Sequence, residues 1–324
     1  VTVPTISVVI PTKNRAHIVP RAIETALAQR GVDLEVVVVN DGSTDATLET
    51  LQDRFGFNPR VRVVTNATSR GLGGARNRGI KEARGKWLAF LDDDDVWSPV
   101  KLREQLNAAG DTHRWAFSAS VEVTDNLEVT VSNPVLPVAE FMDTILSVNC
   151  VPSGSSNVIA QRQLVIDAGW FDTEVKHFAD WDMWCRLALN GPPAICDEYH
   201  VGYVIHSTNM SRGASEAIVE CDLIEERYHS DRGGSRVRRD LVCSWVARSE
   251  LEAGRPIEAV RRYLQAAWYG DNRNILRAIV AIVRPERLVR NAAQRERLGR
   301  DVSVPQAWLD EIRAPRPSAV AHAS

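Results

Sequence analysis

Long apolar runs are missing from this chain: nowhere do about 18 consecutive apolar residues occur, so no segment has the pattern of a membrane-spanning helix. Cysteine pairing is missing too. The five cysteines, Cys150, Cys185, Cys196, Cys221 and Cys243, are scattered, odd in number and without a Cys-x-x-Cys spacing. Neither a disulfide framework nor a zinc site is indicated, and reduced thiols are expected. No excess of one charge exists either, since 39 basic against 42 acidic residues leave −3, which offers no electrostatic case for nucleic acid. With no basic and then apolar leader, the expectation is a soluble cytoplasmic protein, at most peripheral at the inner face of the plasma membrane. What remains, 324 residues with 44% hydrophobic and 25% charged, is globular composition able to bury one large core or two modest ones.

Two β-branched runs, 6–11 and 34–39, have the character of strands buried on both faces. Between them Ile18, Ala22, Ile23, Ala26 and Leu27 recur at helical spacing, with Gly31 placed as a C-cap glycine. A helix over 46–55, a strand at 61–64, a helix over 74–83 and a strand at 86–91 follow. This β-α-β-α-β-α-β alternation predicts an α/β fold with a doubly wound, mostly parallel sheet and ligands at the carboxyl ends of its strands. From 115 to 212 the pattern becomes irregular, with short strands and a helix around 181–189. Beyond 215 it turns helical and polar, and Gly254 followed by Pro256 predicts a helical hairpin.

The residues at the strand ends carry the chemistry. Phe90-Leu91-Asp92-Asp93-Asp94-Asp95 places four acids after an apolar strand with no basic residue beside them. In an extended segment Asp92 and Asp94 face one point while Asp93 and Asp95 turn elsewhere. Hard cations such as Mg²⁺ or Mn²⁺ take such oxygen sites, commonly with substrate phosphates. An acidic turn, with Asp95 or Ser98 capping the next helix, is the plain alternative. Asp41, in Asn40-Asp41-Gly42-Ser43, is placed either to accept from a nucleobase N–H or to close an Asx-turn. Gly71 to Gly79 is a glycine-rich loop running into a helix with two arginines, and it fits neither the dinucleotide fingerprint nor the phosphate-loop motif. Asp180 stands at a helix start between aromatic residues, as a general base or a cap. His206 ends a strand as a metal ligand or as a hydrogen-bonded structural group.

Together these stretches, over roughly residues 4–212, resemble the family 2 glycosyltransferases, which have the GT-A fold. The matching pieces are 7–15, 38–45, 71–79, 90–95, Gly169-Trp170-Phe171-Asp172 and 180–186. The resemblance implies transfer of a sugar, with inversion, from a nucleotide-diphosphate sugar, a UDP-sugar first, to a saccharide, lipid-linked or small-molecule acceptor. It assigns Pro11, Thr12 and Asp41 to the nucleoside, with Asn14, Arg15, Gly73, Arg76, Asp92 and Asp93 as further donor contacts. It makes Asp94 and His206 the ligands of Mn²⁺ or Mg²⁺, and Asp180 the catalytic base. Two departures count: Ala179 stands where that family commonly has Glu, and the Gln-x-x-Arg-Trp signature of processive synthases is missing, so single additions are expected. A sugar nucleotidyltransferase and a non-catalytic sugar-binding protein are the alternatives.

The expected division is a catalytic domain over 1–214, split into a nucleotide-binding half (1–114) and an acceptor-binding half (115–214), then a helical region over 215–304 and a flexible tail over 305–324. Residues 274–300 combine apolar positions with many arginines. That pattern suits a peripheral membrane contact as well as a solvated helix packed on the catalytic domain. Oligomeric state is not legible.

Overall fold

The computed structural model describes residues 3–206, 216–283, 288 and 303–313. The first half alternates as β1 (Ile6–Thr12), α1 (Val19–Leu27), β2 (Leu34–Asp41), α2 (Thr47–Phe55), β3 (Val61–Asn66), α3 (Gly71–Glu82) and β4 (Trp87–Phe90). These strands pair in parallel in the order β3-β2-β1-β4. Winding therefore reverses at β1, and the crevice beyond the carboxyl ends of β1 and β4 is the place where such sheets bind ligands. All seven residues of β1 are buried. Successive side chains go to opposite faces: Val9, Leu88 and Phe90 pack on one, and Ile6, Val8, Ile10, Trp87 and Ala89 on the other, as a period of two requires.

Past β4 the sheet is mixed. The elements are β5 (Val96–Trp97), α4 (Lys101–Ala109), β6 (Trp115–Val123), β7 (Val129–Asn133), α5 (Val138–Thr144), a 3₁₀ turn (Gly154–Asn157), β8 (Ile159–Gln161), α6 (Arg162–Asp167), α7 (Ala179–Leu189) and β9 (Ala194–Val204). β8 joins β4 to β6 antiparallel, β6 pairs β9 in parallel, and β5 closes the edge against β9. The helices α8 (Ala217–Arg227), α9 (Arg239–Glu252), α10 (Pro256–Trp268), α11 (Arg273–Val283) and α12 (Ser303–Arg313) complete the described chain. The hairpin between α9 and α10 turns at Gly254, whose φ of +73° suits glycine, and Pro256 opens α10.

Three expectations change. The glycine-rich segment, Gly71 to Gly79, makes up most of α3 and is not a loop ahead of it, and Gly73 and Gly79 are packing positions. A Cβ on Gly79 would lie 2.3 Å from Val9 Cγ1, and one on Gly73 3.2 Å from the Asp172 carbonyl. The tail from 305 is helical in its described part: Trp308 and Leu309 of α12 pack with Val96 and Val204, and the Trp308 indole N–H donates to the Tyr199 carbonyl. Residues 314–324 lie outside the described residues. The helix expected over 274–300 is described as α11 to Val283. Finally, α8 contributes Ala217, Ile218, Cys221 and Ile224 to the cluster that holds Phe178 and Trp181, so no break between cores falls at 214/215.

Candidate active site

Packing brings the two chemical segments together. Phe90 of β4 meets Phe171 edge-on at 5.1 Å, and Phe171 meets Trp184 of α7 edge-on at 6.2 Å. Each such pair adds about 0.5–1.5 kcal/mol beyond its burial. This aromatic chain ties the strand that delivers the acids to the helix that delivers Asp180. It also seats a cation, since the Arg76 guanidinium lies 5.3 Å over the Phe171 ring and donates to Asp92 Oδ1 at 2.6 Å.

The acid run is a turn and not an extension of β4, with the Asp95 N–H donating to the Asp92 carbonyl. The alternate-facing picture therefore fails, and Asp93 and Asp94 share one cation. Arg15 Nη1 lies 2.7 Å from Asp94 Oδ2 and 3.6 Å from Asp93 Oδ1. Burial and the neighbouring Asp94 push the Asp93 carboxyl up to about 7, with Arg15 opposing. Asp94 is also pushed up by burial, but hydrogen bonds from His206 and Arg15 outweigh that and hold it below the usual carboxylate range. Asp95 caps no helix. It is fully buried, accepts from the Ser156 hydroxyl at 2.5 Å and from the Val204 N–H at 3.0 Å, and is raised well above the usual range by burial and by Asp94. Ser156 in turn accepts from the Asp92 N–H, so one serine fastens both ends of the run.

His206, just past β9, brings Nε2 to 2.9 Å from Asp94 Oδ2. Asp94 and His206 are the residues that would hold Mg²⁺ or Mn²⁺, an oxygen and a nitrogen ligand side by side. No group of three or more metal-ligating side chains occurs among the described residues. Such a cation would complete its shell with water and phosphate oxygens, as Mg²⁺ ordinarily does. Arg15 holds a positive charge at the same carboxylate.

Asp180 lies in the first turn of α7, partly buried, with Oδ1 accepting the Trp181 N–H at 2.7 Å. Burial raises its carboxyl above the ordinary range, Arg76 lowers it, and Asp92 adds to the rise. Its other oxygen faces Gly154: a Cβ there would stand 2.6 Å from Asp180 Oδ2. The small residue that leaves room for this carboxylate is the feature sequence reading missed, although Pro152 to Asn157 is a conspicuous run of small polar residues.

Asp41 is not a free acceptor. Its carboxylate takes Asn66 Nδ2, Ser69 Oγ and the Arg70 N–H, which fills its lone pairs and outweighs the upward push of burial. It shapes the turn between β3 and α3. Asn14, at φ +54°, accepts from the Thr44 N–H and donates its own N–H to Ser43, pinning the loop after β1 to the loop after β2. Gly73 is buried against residue 172, so packing accounts for it. Pro11 and Thr12 close β1, and the Thr12 side chain bonds to the Asp93 carboxylate and opposes its upward shift. Arg15, Arg76, Asp92, Asp93, Asp94, Asp180 and His206 thus stand as one group at the sheet's switch point.

Residues 7–133 match the family model described as Glycosyl transferase family 2. The succinoglycan biosynthesis protein ExoO of Rhizobium meliloti (strain 1021) is 45% identical over 130 residues, covering 39% of this chain and 34% of the relative. The hyaluronan synthase of Pasteurella multocida is 42% identical over 211 residues, covering 64% of this chain and 21% of the relative. The chain thus spans about a third or less of these two relatives' length. Among solved structures, S. aureus TarS 1-349 superposes with a TM-score of 0.55 at 17% identity, over 92% of this chain and 93% of that one. The same TarS fragment in complex with UDP-GlcNAc gives a TM-score of 0.54. That likeness shows the GT-A fold. Residues 7–133 are thus similar to glycosyltransferase family 2, and the chain shares its fold with TarS.

Proposed function

We propose that the chain transfers a glycosyl group from a nucleoside diphosphate sugar to an acceptor hydroxyl in one inverting displacement. The observation that carries this reading is the partly buried Asp180, with its raised carboxyl, beside the Arg76–Asp92 pair at the switch point. Asp180 takes the acceptor proton as that oxygen attacks the anomeric carbon from the face opposite the diphosphate. A base poised nearer neutrality does this better than an ordinary carboxylate. Arg76 and Arg15 supply fixed positive charge where the leaving diphosphate gathers its negative charge. Mg²⁺ or Mn²⁺ held by Asp94 and His206 would add Lewis-acid stabilisation of the diphosphate.

TarS structures with UDP-GlcNAc and UDP support a uridine donor as the first choice. Names such as hyaluronan synthase and succinoglycan biosynthesis protein support a saccharide or lipid-linked acceptor. The five free thiols suit a reducing, cytoplasmic setting. No described helix is long and apolar enough to cross a membrane. The exposed Trp268 of α10 and Leu276, Ile279 and Ile282 of α11 support peripheral contact with a lipid surface, as on an interfacial helix. Flotation with anionic vesicles should carry the protein up and fail for Ile279→Glu; equal flotation, or none, dismisses that contact. The deciding experiment for the reaction is a donor panel with Mn²⁺ or Mg²⁺. Release of nucleoside diphosphate supports transfer, and release of pyrophosphate overturns it in favour of nucleotidyl chemistry.

A further inference from the structure

Residues two apart on an α-helix lie about 200° apart, so Asp182 projects from the side of α7 away from Asp180. It is fully buried and fully used. Its Oδ2 accepts from Arg186 Nη2 at 2.6 Å and Nε at 3.1 Å. Its Oδ1 accepts from Arg227 Nη1 at 2.5 Å and from the Tyr228 hydroxyl at 2.7 Å. The second nitrogen of Arg227 donates to Asp172 at 2.7 Å, binding the turn beside Phe171 into the same network.

Seven residues earlier on α8, about 10 Å away along the helix, Glu220 does a second job. Its carboxylate accepts the backbone N–H groups of Lys176, His177 and Phe178, at 3.0, 3.0 and 2.9 Å. Those residues lead straight into α7, and among the described residues no side chain caps its N-terminus through Phe178. One helix therefore grips the segment carrying Asp180 twice, at the backbone entering the helix and at the buried acid one half-turn past Asp180. Apolar packing alone would not need either grip, since Ile218, Cys221 and Ile224 already bury α8 against the core.

We propose that Glu220 and Arg227 are positioning residues for Asp180: through them α8 sets the depth and direction at which the Asp180 carboxylate faces Gly154 and the acceptor. The proposal rests on Asp180 being the base. Removing the Glu220 carboxylate leaves three N–H donors without their acceptor, and the turn that holds Asp180 drifts outward. A misplacement on the scale of 1 Å costs roughly 10²-fold in rate. Because burial is the main cause of the raised Asp180 carboxyl, an outward shift hydrates it, and the acid limb of the pH–rate profile moves to lower pH.

The test compares wild type, Glu220→Ala, Glu220→Gln, Arg227→Lys and Asp180→Asn. UDP release from UDP-N-acetylglucosamine gives kcat across pH, and calorimetric UDP binding with Mn²⁺ shows that each variant is folded. The expected result for Glu220→Ala is a kcat lower by roughly 10²-fold, unchanged UDP affinity and an acid limb displaced downward. Glu220→Gln, which keeps an acceptor oxygen, recovers part of the rate, and Arg227→Lys, which cannot bridge both acids, loses rate in the same way. Wild-type kcat and pH profile in the Glu220 and Arg227 variants, beside an inactive Asp180→Asn, overturn the proposal and leave the base assignment standing. Loss of kcat and UDP affinity in step overturns it as well. An active Asp180→Asn removes the base assignment itself, and the proposal with it.

Discussion

Gly154→Ala is the sharpest probe of the site, because one methyl group would occupy the space the base uses. Gly154 has φ +50°, and its added Cβ would lie 2.6 Å from Asp180 Oδ2. An ordinary contact needs about 3.5 Å, so something must move by about 0.9 Å. The loop is poorly placed to yield. Asn157 accepts from the Ser118 N–H and donates to the Ser118 and Pro152 carbonyls, and the Ser153 hydroxyl is 2.7 Å from that of Ser120. Asp180 is held by less, so its carboxylate is the part that shifts. A displacement of about 1 Å predicts a kcat lower by roughly 10²-fold, which is about 2.7 kcal/mol of transition-state stabilisation. The left-handed backbone adds about 1–2 kcal/mol of folding cost, a fall in Tm of only a few degrees. The assay is nucleoside diphosphate release in the donor panel, with calorimetric UDP binding as the control for folding. Normal turnover would show that Asp180 does not work at this position, and loss of turnover together with UDP affinity would show that the damage is general.

Asp180→Asn should keep UDP binding and lose roughly 10²–10⁴-fold in transfer, as removal of a general base does. It should also be more stable than wild type at neutral pH. A raised folded pKa means the native state holds that proton more tightly, so this group's contribution is present below its unfolded pKa and is lost as pH rises through the folded value. Urea denaturation should show the gap closing on acidification, and a constant gap contradicts the charge argument. Asp94→Ala should weaken Mn²⁺-dependent UDP binding, and equal metal-independent affinity in both forms would sink that assignment. Gly79→Ala should cost about 1–3 kcal/mol in denaturant unfolding by overpacking α3 on Val9, with UDP affinity kept in the folded fraction; a neutral result means the helix can lift off the sheet cheaply.

Much of the first half was legible because its signals are local. Continuous β-branched runs mark strands buried on both faces, and helical periodicity between them marks crossovers, so the parallel order and the crevice followed from general rules of winding. The acid run, Asp180 and His206 were singled out from type and position and Arg76 through the family resemblance, and the tertiary structure gathers them. The mixed second half was less legible. β5 and β8 are two and three residues long, too short to show any period, and they exist because longer strands pair with them.

The sequence by itself determined which segments carry charge and which must be buried, since composition and period are properties of neighbours along the chain. Only tertiary structure decided which charges meet. Asp41 was turned inward by Asn66 and Ser69, far enough along the chain that no spacing rule links them. Asp93 and Asp94 came to share Arg15 because a turn replaced the expected extension of β4. Gly154 received its meaning from a carboxylate 26 positions away, and α8, expected to start a separate helical region, packed into the core behind Asp180. Long-range packing has no periodic signature, so those contacts were readable only once the chain was folded.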